Sequence, residues 1–166
     1  MLEILDTTGQ EEDTTHLNQW IREGEGFLLV YSVTSRSSFR RIRKFYNHII
    51  KVKESQRLSQ PKSYWAIMLV GSHSERVTER VVSAQEGHQL ARELGCNFVE
   101  TSTKDCINVG KAFYDLVRQI RRQHGSELQE RPRLGPPQLS ATSYFNSTPA
   151  QRLLWISQLW DRIKTS

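Results

Sequence analysis

Cysteine is scarce in these 166 residues: Cys96 and Cys106 are the only two, and their spacing matches neither a zinc pair nor a secreted disulfide framework. Long apolar runs are missing too, the longest being Phe27 to Tyr31 and Ala66 to Val70, far short of a membrane span. No basic start followed by an apolar stretch marks a signal peptide, and no internal repeat is visible. These absences argue against secreted, integral-membrane and metal-finger classes and favour a reducing, cytoplasmic setting. What is present suits one globular domain: 37% hydrophobic residues, 25% charged residues and a net charge of +5.

The charge is unevenly spread. Between Arg36 and Arg57, eight cations (Arg36, Arg40, Arg41, Arg43, Lys44, Lys51, Lys53 and Arg57) face only Glu54, a local net of +7. Such a stretch is either a solvated helix face or a surface for anionic partners such as an acidic membrane. Nucleic-acid binding is not expected. Phe39, Tyr46 and Ile49 recur at core spacing, which explains the aromatics better than base stacking does.

Apolar runs and amphipathic stretches alternate along residues 1–124, predicting an α/β fold with a mainly parallel sheet. Strands are expected to end at Asp6 and to run over Gly26–Val33, Ala66–Val70 and Asn97–Glu100. Ala66–Val70 is apolar on both faces and should be buried on both. Ser35 and Ser37 offer caps for a helix burying Phe39, Ile42, Tyr46 and Ile49, and Gly95 offers a left-handed stop after Leu94. Val109 to Ile120 follows helical spacing. Four of the five prolines lie beyond Gly125, so residues 125–149 read as a Pro/Ser/Thr-rich linker. Residues 150–166 read as an amphipathic helix carrying Leu153, Ile156, Trp160 and Ile163, with Leu154 and Trp155 broadening its apolar face. It would dock on the domain, bind a partner or lie on a membrane surface.

The segment Leu2-Glu3-Ile4-Leu5-Asp6-Thr7-Thr8-Gly9-Gln10-Glu11-Glu12 carries the sharpest chemical signal. A carboxylate at a strand end can hold Mg²⁺ through a water. A following glycine lets a backbone N–H reach a terminal phosphate, and a neighbouring glutamine can orient water for in-line attack. Together with Gly24-Glu25-Gly26-Phe27-Leu28, Ser38-Phe39, Val52-Lys53-Glu54-Ser55, Leu69-Val70-Gly71, Glu100-Thr101-Ser102 and Ala112-Phe113-Tyr114, in that order, it resembles the Ras-like small GTPases and the Ras branch in particular. Ras is a standard illustration of this chemistry.

The resemblance implies a P-loop NTPase-like G-domain over residues 1–124 that binds GTP or GDP with Mg²⁺. Such a domain hydrolyses GTP and meets effector, exchange-factor and GTPase-activating proteins. It implies Asp6 at the magnesium shell, Gly9 at the terminal phosphate and Gln10 positioning the attacking water. Thr7 and Thr8 fall in the same phosphate-facing segment. Ser72, His73 and Glu75 fall where the family has Asn-Lys-x-Asp for guanine, and Thr101-Ser102-Thr103-Lys104 where a loop packs on the base. Taken alone, that last loop is equally a Ser/Thr turn capping the following helix.

Four departures qualify these expectations. The chain has no Gly-x-x-x-x-Gly-Lys-Ser/Thr, the loop that cradles phosphates. Met1 falls inside what resembles the family's third strand, so the first strand, phosphate loop, first helix, first switch and second strand are expected to be missing, on the order of 50 residues. The chain then reads as a partial copy, with two unpaired edges where the first strand would lie, between Leu2–Leu5 and Phe27–Val33. Glu75 keeps a carboxylate where the family has aspartate but sets it back by a methylene, and each unmatched buried hydrogen bond to guanine would cost ~1–3 kcal/mol. Thr8 stands where alanine is usual and crowds the terminal phosphate. No Cys-a-a-X box ends the sequence, so attachment at the inner face of the plasma membrane would depend on partners. GTP hydrolysis by this chain alone is expected to be absent or very weak. The alternative expectation is a nucleotide-free, GTPase-derived protein-interaction module using the basic helix from Phe39 to Lys53 and the Trp155/Trp160 tail.

Overall fold

The computed structural model describes residues 2–8, 14–57, 65–129 and 151–157. Their elements are β1 (Leu2–Thr8), α1 (Thr14–Glu23), β2 (Gly26–Ser32), α2 (Arg36–Arg57), β3 (Ala66–Ser72), α3 (Ala84–Leu94), β4 (Asn97–Glu100), α4 (Val109–Gln129) and β5 (Gln151–Ser157). The strands form one sheet in the order β1-β5-β2-β3-β4, and every pairing is parallel.

Successive strand residues point to opposite faces, and both faces of β2 are buried. Phe27, Leu29 and Tyr31 join Ile67 and Leu69 under α2 and α3, through Ile42, Phe45, Ile49, Leu90 and Leu94. Leu28 and Val30 join Met68 and Val70 under α4, through Ala112, Leu116 and Ile120. β3 is buried along its whole length, as its doubly apolar sequence predicts. Each fully buried aliphatic side chain stabilises by ~1.5–3 kcal/mol.

The caps follow the sequence. Ser35 Oγ accepts from Ser38 N at 3.3 Å at the start of α2. Ser83 and Glu86 form a reciprocal capping box on α3, and Gly95 ends that helix at φ 66°. A helix not anticipated from the sequence, α1, sets Leu17, Trp20 and Ile21 against the core at helical spacing.

Three expectations are corrected. Residues 151–157 form a strand, not a helix. Leu153-Leu154-Trp155-Ile156 is an unbroken apolar run, which is compatible with a central parallel strand as well as with a buried helix segment. With β5 paired to both β1 and β2, the two edges expected to be open are closed. Helix α4 continues to Gln129, so residues 125–129, expected as linker, are helical. Trp160 and the rest of the supposed tail helix lie outside the described residues, as do 130–150.

The basic face of α2 is smaller than its sequence implies. Lys53 is 2% exposed: its Nζ donates to Arg22 O at 2.9 Å, capping the C-terminus of α1, and lies 5.7 Å from the Phe27 ring centroid. Arg36 and Arg43 pair with Glu86 and Glu93 of α3. The side chains of Arg40, Arg41, Lys44 and Lys51 are exposed along one side of α2.

Candidate functional site

In a parallel sheet all carboxyl ends lie along one edge, where open α/β folds bind ligands. That edge carries Asp6, Thr7 and Thr8 at the end of β1, Ser72 at the end of β3, and Thr101-Ser102 just after β4. From β1 to β3 is three strand spacings, roughly 14 Å. The edge therefore brings the single carboxylate of Asp6 and a hydroxyl-rich cluster to the same side of the molecule without direct contact between β1 and β3.

The hydroxyl-rich half is tightly knit. Thr101 N donates to Gly71 O at 2.8 Å and Ser74 N to Thr101 O at 3.1 Å, locking the loop after β3 to the loop after β4. Ser72 is buried and its Oγ donates to Tyr31 O at 2.9 Å. His73 adopts the left-handed region at φ 62°, and its Nδ1 lies 3.3 Å from both Ser32 Oγ and Ser72 Oγ. Ser102 is fully buried; its Oγ accepts from Asp105 N at 3.1 Å and donates to Asp105 Oδ2 at 3.2 Å. Ser102 thus makes a local Ser/Thr turn with Asp105 in the loop after β4.

Glu75 is the chemically pointed group. The Ser102 side chain, then its own backbone N–H, hold its carboxyl below the usual carboxylate range, so it is an anion at neutral pH. Its Oε2 is buried and has no hydrogen-bond partner. A buried carboxylate oxygen left unpaired is costly, and a ligand presenting N–H donors relieves it. Thr103 and Lys104 are exposed on the same loop. A cavity of about 70 Å³ lies beneath, lined by Val30, Ser72, His73, Thr101, Thr103 and Phe113 among others.

At the other end of the edge Asp6 is exposed and stands in register with Trp155 of β5. Thr7 and Thr8 continue β1, while Gly9 and Gln10 lie outside the described residues. Among the described residues no three His, Cys, Asp or Glu side chains gather into a metal cluster. A lone exposed carboxylate fits Mg²⁺ held mainly by water and phosphate oxygens, and does not fit an all-protein cage. Two features escaped the sequence reading. One is the buried Lys53. The other is the bidentate Arg80–Glu100 pair, at 2.7 and 3.0 Å, which braces β4 against the loop after β3.

The Ras family model matches residues 1–122, most of the chain. The chain belongs to the Ras family. It is 62% identical over 134 residues to "Ras-like protein 1" of Pyricularia oryzae, covering 74% of this chain and 56% of that protein. To "Protein ras-2" of Neurospora crassa it is 56% identical over 151 residues, covering 82% of this chain and 65% of the relative. "Ras-like protein B" of Aspergillus fumigatus is 54% identical over 151 residues, with 79% and 63% covered. The chain thus spans between half and two thirds of the length of these relatives. Ras-family GTPases generally use Mg²⁺ with GTP or GDP and act through regulators and effectors. Among the described residues no helix is long and apolar enough to cross a membrane.

Proposed function

We propose that this chain carries the guanine-reading and hydrolysis-directing part of a Ras-like GTP switch in signal transduction. The observation that carries this reading is Glu75: an ionised carboxylate with one buried, unpaired oxygen, on a loop locked to the hydroxyl-rich loop after β4. Guanine offers two adjacent N–H donors to such a group, whereas adenine presents an acceptor and no matching pair. Ser72, His73, Ser102, Thr103 and Lys104 then frame the base. Asp6 holds Mg²⁺ through a water, Thr7, Thr8 and Gly9 face the phosphates, and Gln10 directs the water that converts GTP to GDP and phosphate. Effector, exchange-factor and GTPase-activating proteins are its expected partners, in the cytoplasm or at the inner face of the plasma membrane.

Titration of the purified chain with fluorescent GDP and fluorescent ADP, with and without Mg²⁺, tests this. GDP is expected to saturate below millimolar concentration with at least about tenfold preference over ADP, the equivalent of ~1.4 kcal/mol. Glu75→Ala removes the preference, and Asp6→Ala removes the Mg²⁺ dependence. Absence of saturation at millimolar GDP overturns the reading.

A second reading, a nucleotide-free interaction module, is favoured by the exposed Arg40, Arg41, Lys44 and Lys51 along one side of α2. This stripe fits an acidic membrane surface. Salt-sensitive sedimentation with phosphatidylserine vesicles, lost when Arg40 and Lys44 are both changed to Glu, is its expected signature.

A further inference from the structure

The chain's last described segment lies in the middle of its sheet. β5 stands between β1 and β2, in register from Leu2↔Gln151 to Thr8↔Ser157 on one side and from Gly26↔Leu153 to Val30↔Ser157 on the other. β1 pairs with no other strand among the described residues. The pairs β2–β3 and β3–β4, by contrast, are each closed by the helix that lies between them in sequence.

We propose that the gap between β1 and β2 is a peptide-binding slot for an extended apolar segment in parallel register, and that residues 151–157 of this chain are its ligand in cis. Three observations carry this. The slot offers two facing strand edges, so a bound segment satisfies its backbone groups on both sides. The segment Leu153-Leu154-Trp155-Ile156 is apolar throughout, the composition of a strand covered on both faces. Its connection runs from Gln129 to Gln151 and contains Pro132, Pro136, Pro137 and Pro149. Crossover loops in α/β units are about 2–6 residues, so this connection is too long to fix the strand's register. Backbone pairing with β1 and β2 fixes it instead, and the tether supplies a local concentration on the order of millimolar.

The slot also has a consequence for the edge that carries the candidate site. β1 ends at Asp6–Thr8, and β5 links it to the sheet that carries Ser72 and Glu75. Occupancy of the slot therefore sets where Asp6 stands relative to the Glu75 loop, whether or not nucleotide binds.

Hydrogen exchange of the full chain reads the proposal directly. Amides of 151–157 are expected to exchange at least a hundredfold more slowly than in a free peptide of that sequence; exchange at the free-peptide rate overturns it. Leu154→Pro removes a ladder donor from a central strand. It is expected to release 151–157 and 2–8 while 26–32 and 66–72 stay protected. A fluorescein-labelled peptide with the sequence of residues 151–157 then binds the variant at least tenfold tighter than the unaltered chain, and equal binding overturns the proposal. Should Leu154→Pro unfold the whole chain, a cysteine pair decides. Leu5 and Leu154 are register partners, and parallel neighbours lie within disulfide range. Leu5→Cys with Leu154→Cys, in a Cys106→Ser background, is expected to oxidise to a disulfide within one chain. A disulfide joining two chains, or none, overturns the assignment in cis.

Discussion

β2 and β3 are walled in by helices on both faces and by strands along both edges, whereas β1 is a margin. Leu29 and Leu69 are fully buried, while Glu3, Ile4 and Asp6 on β1 are exposed. Both regions belong to the same parallel sheet, so the difference arises from how each is closed. The β2–β3–β4 side is built by successive strand–helix–strand units, each folding on its neighbour. The β1 side waits for a segment more than a hundred residues away. Local closure yields a rigid platform for the loops carrying Ser72, Glu75 and Ser102. Distant closure leaves the Asp6 end dependent on β5.

The largest expected effect separates these regions at once. Leu29→Ala removes a fully buried side chain and should destabilise by ~3–4 kcal/mol in urea denaturation, because transfer and cavity terms add. Ile4→Ala on β1, where the side chain is 49% exposed, should cost under ~1 kcal/mol. Equal losses at the two positions would erase the contrast.

Next in size is Gly87→Ala. A Cβ there would fall 2.5 Å from Tyr31 Oη and closer still to the Phe98 ring. Helix α3 sits this close to β2 and β4 because residue 87 has no side chain. Overpacking should cost ~2–3 kcal/mol by thermal denaturation and loosen the β4 side first. Amide exchange in 97–100 should rise while that in 2–8 does not.

Lys53 sharpens the boundary between the regions, since it ties α2 to the end of α1. Lys53→Ala leaves Arg22 O without its donor and opens a gap beside Phe27, at ~2 kcal/mol. The same lysine gives a pH signature. Burial, opposed by Glu25, lowers its pKa from 10.5 to about 8. Below that value it is charged in folded and unfolded chains alike, and the penalty for burying the charge is complete. Between about 8 and 10.5 only the unfolded chain keeps the proton, so stability rises with pH across that window. Lys53→Met should lose this rise, which denaturation midpoints between pH 7.5 and about 10 would reveal.

How far these features could be read in advance follows the same division. The doubly apolar Ala66–Val70, the Ser35 cap and the Gly95 stop were legible because each is a local pattern with a local cause. Lys53 was legible in principle: it continues the spacing Ile42, Tyr46, Ile49 on the apolar stripe of α2, yet its charge assigns it to the surface. The nearness of Glu75 to Ser102 depends on β3 and β4 being neighbours, which no spacing within either segment encodes. The strand at 151–157 was misread because four successive apolar residues satisfy helical and extended patterns alike. Only the slot beside it decides between them. Of the candidate site, Asp6 and Ser72 end β1 and β3 and Glu75 and Ser102 stand in the loops after β3 and β4, at the carboxyl edge of the sheet, while Gly9 and Gln10 fall outside the described residues.

The smallest expected effect is confined to one helix end on the platform side. Ser83 Oγ accepts from Glu86 N at 3.2 Å, and Ser83 N donates to Glu86 Oε2 at 2.9 Å. Arg36, reaching from α2, is the main cause that lowers the Glu86 carboxyl to about 2, with Ser83 contributing next. Ser83→Ala should cost ~1 kcal/mol, the worth of a cap. It removes only the hydroxyl, so the backbone donor and Arg36 still favour the carboxylate, and the Glu86 pKa should rise only part of the way back toward its ordinary value. Because the folded pKa lies below the unfolded one, the stabilisation from Glu86 is present at neutral pH and fades as pH falls from about 4.5 toward 2. In Ser83→Ala that decline should be shallower, and carboxyl NMR titration of Glu86 checks it. Amide exchange should quicken in the first turn of α3 while residues 2–8 stay unchanged, because the hydrogen bonds of the cap join only Ser83, Glu86 and Arg36 and are remote from β1. A matching change in β1 would show that the two regions are coupled through more than β5.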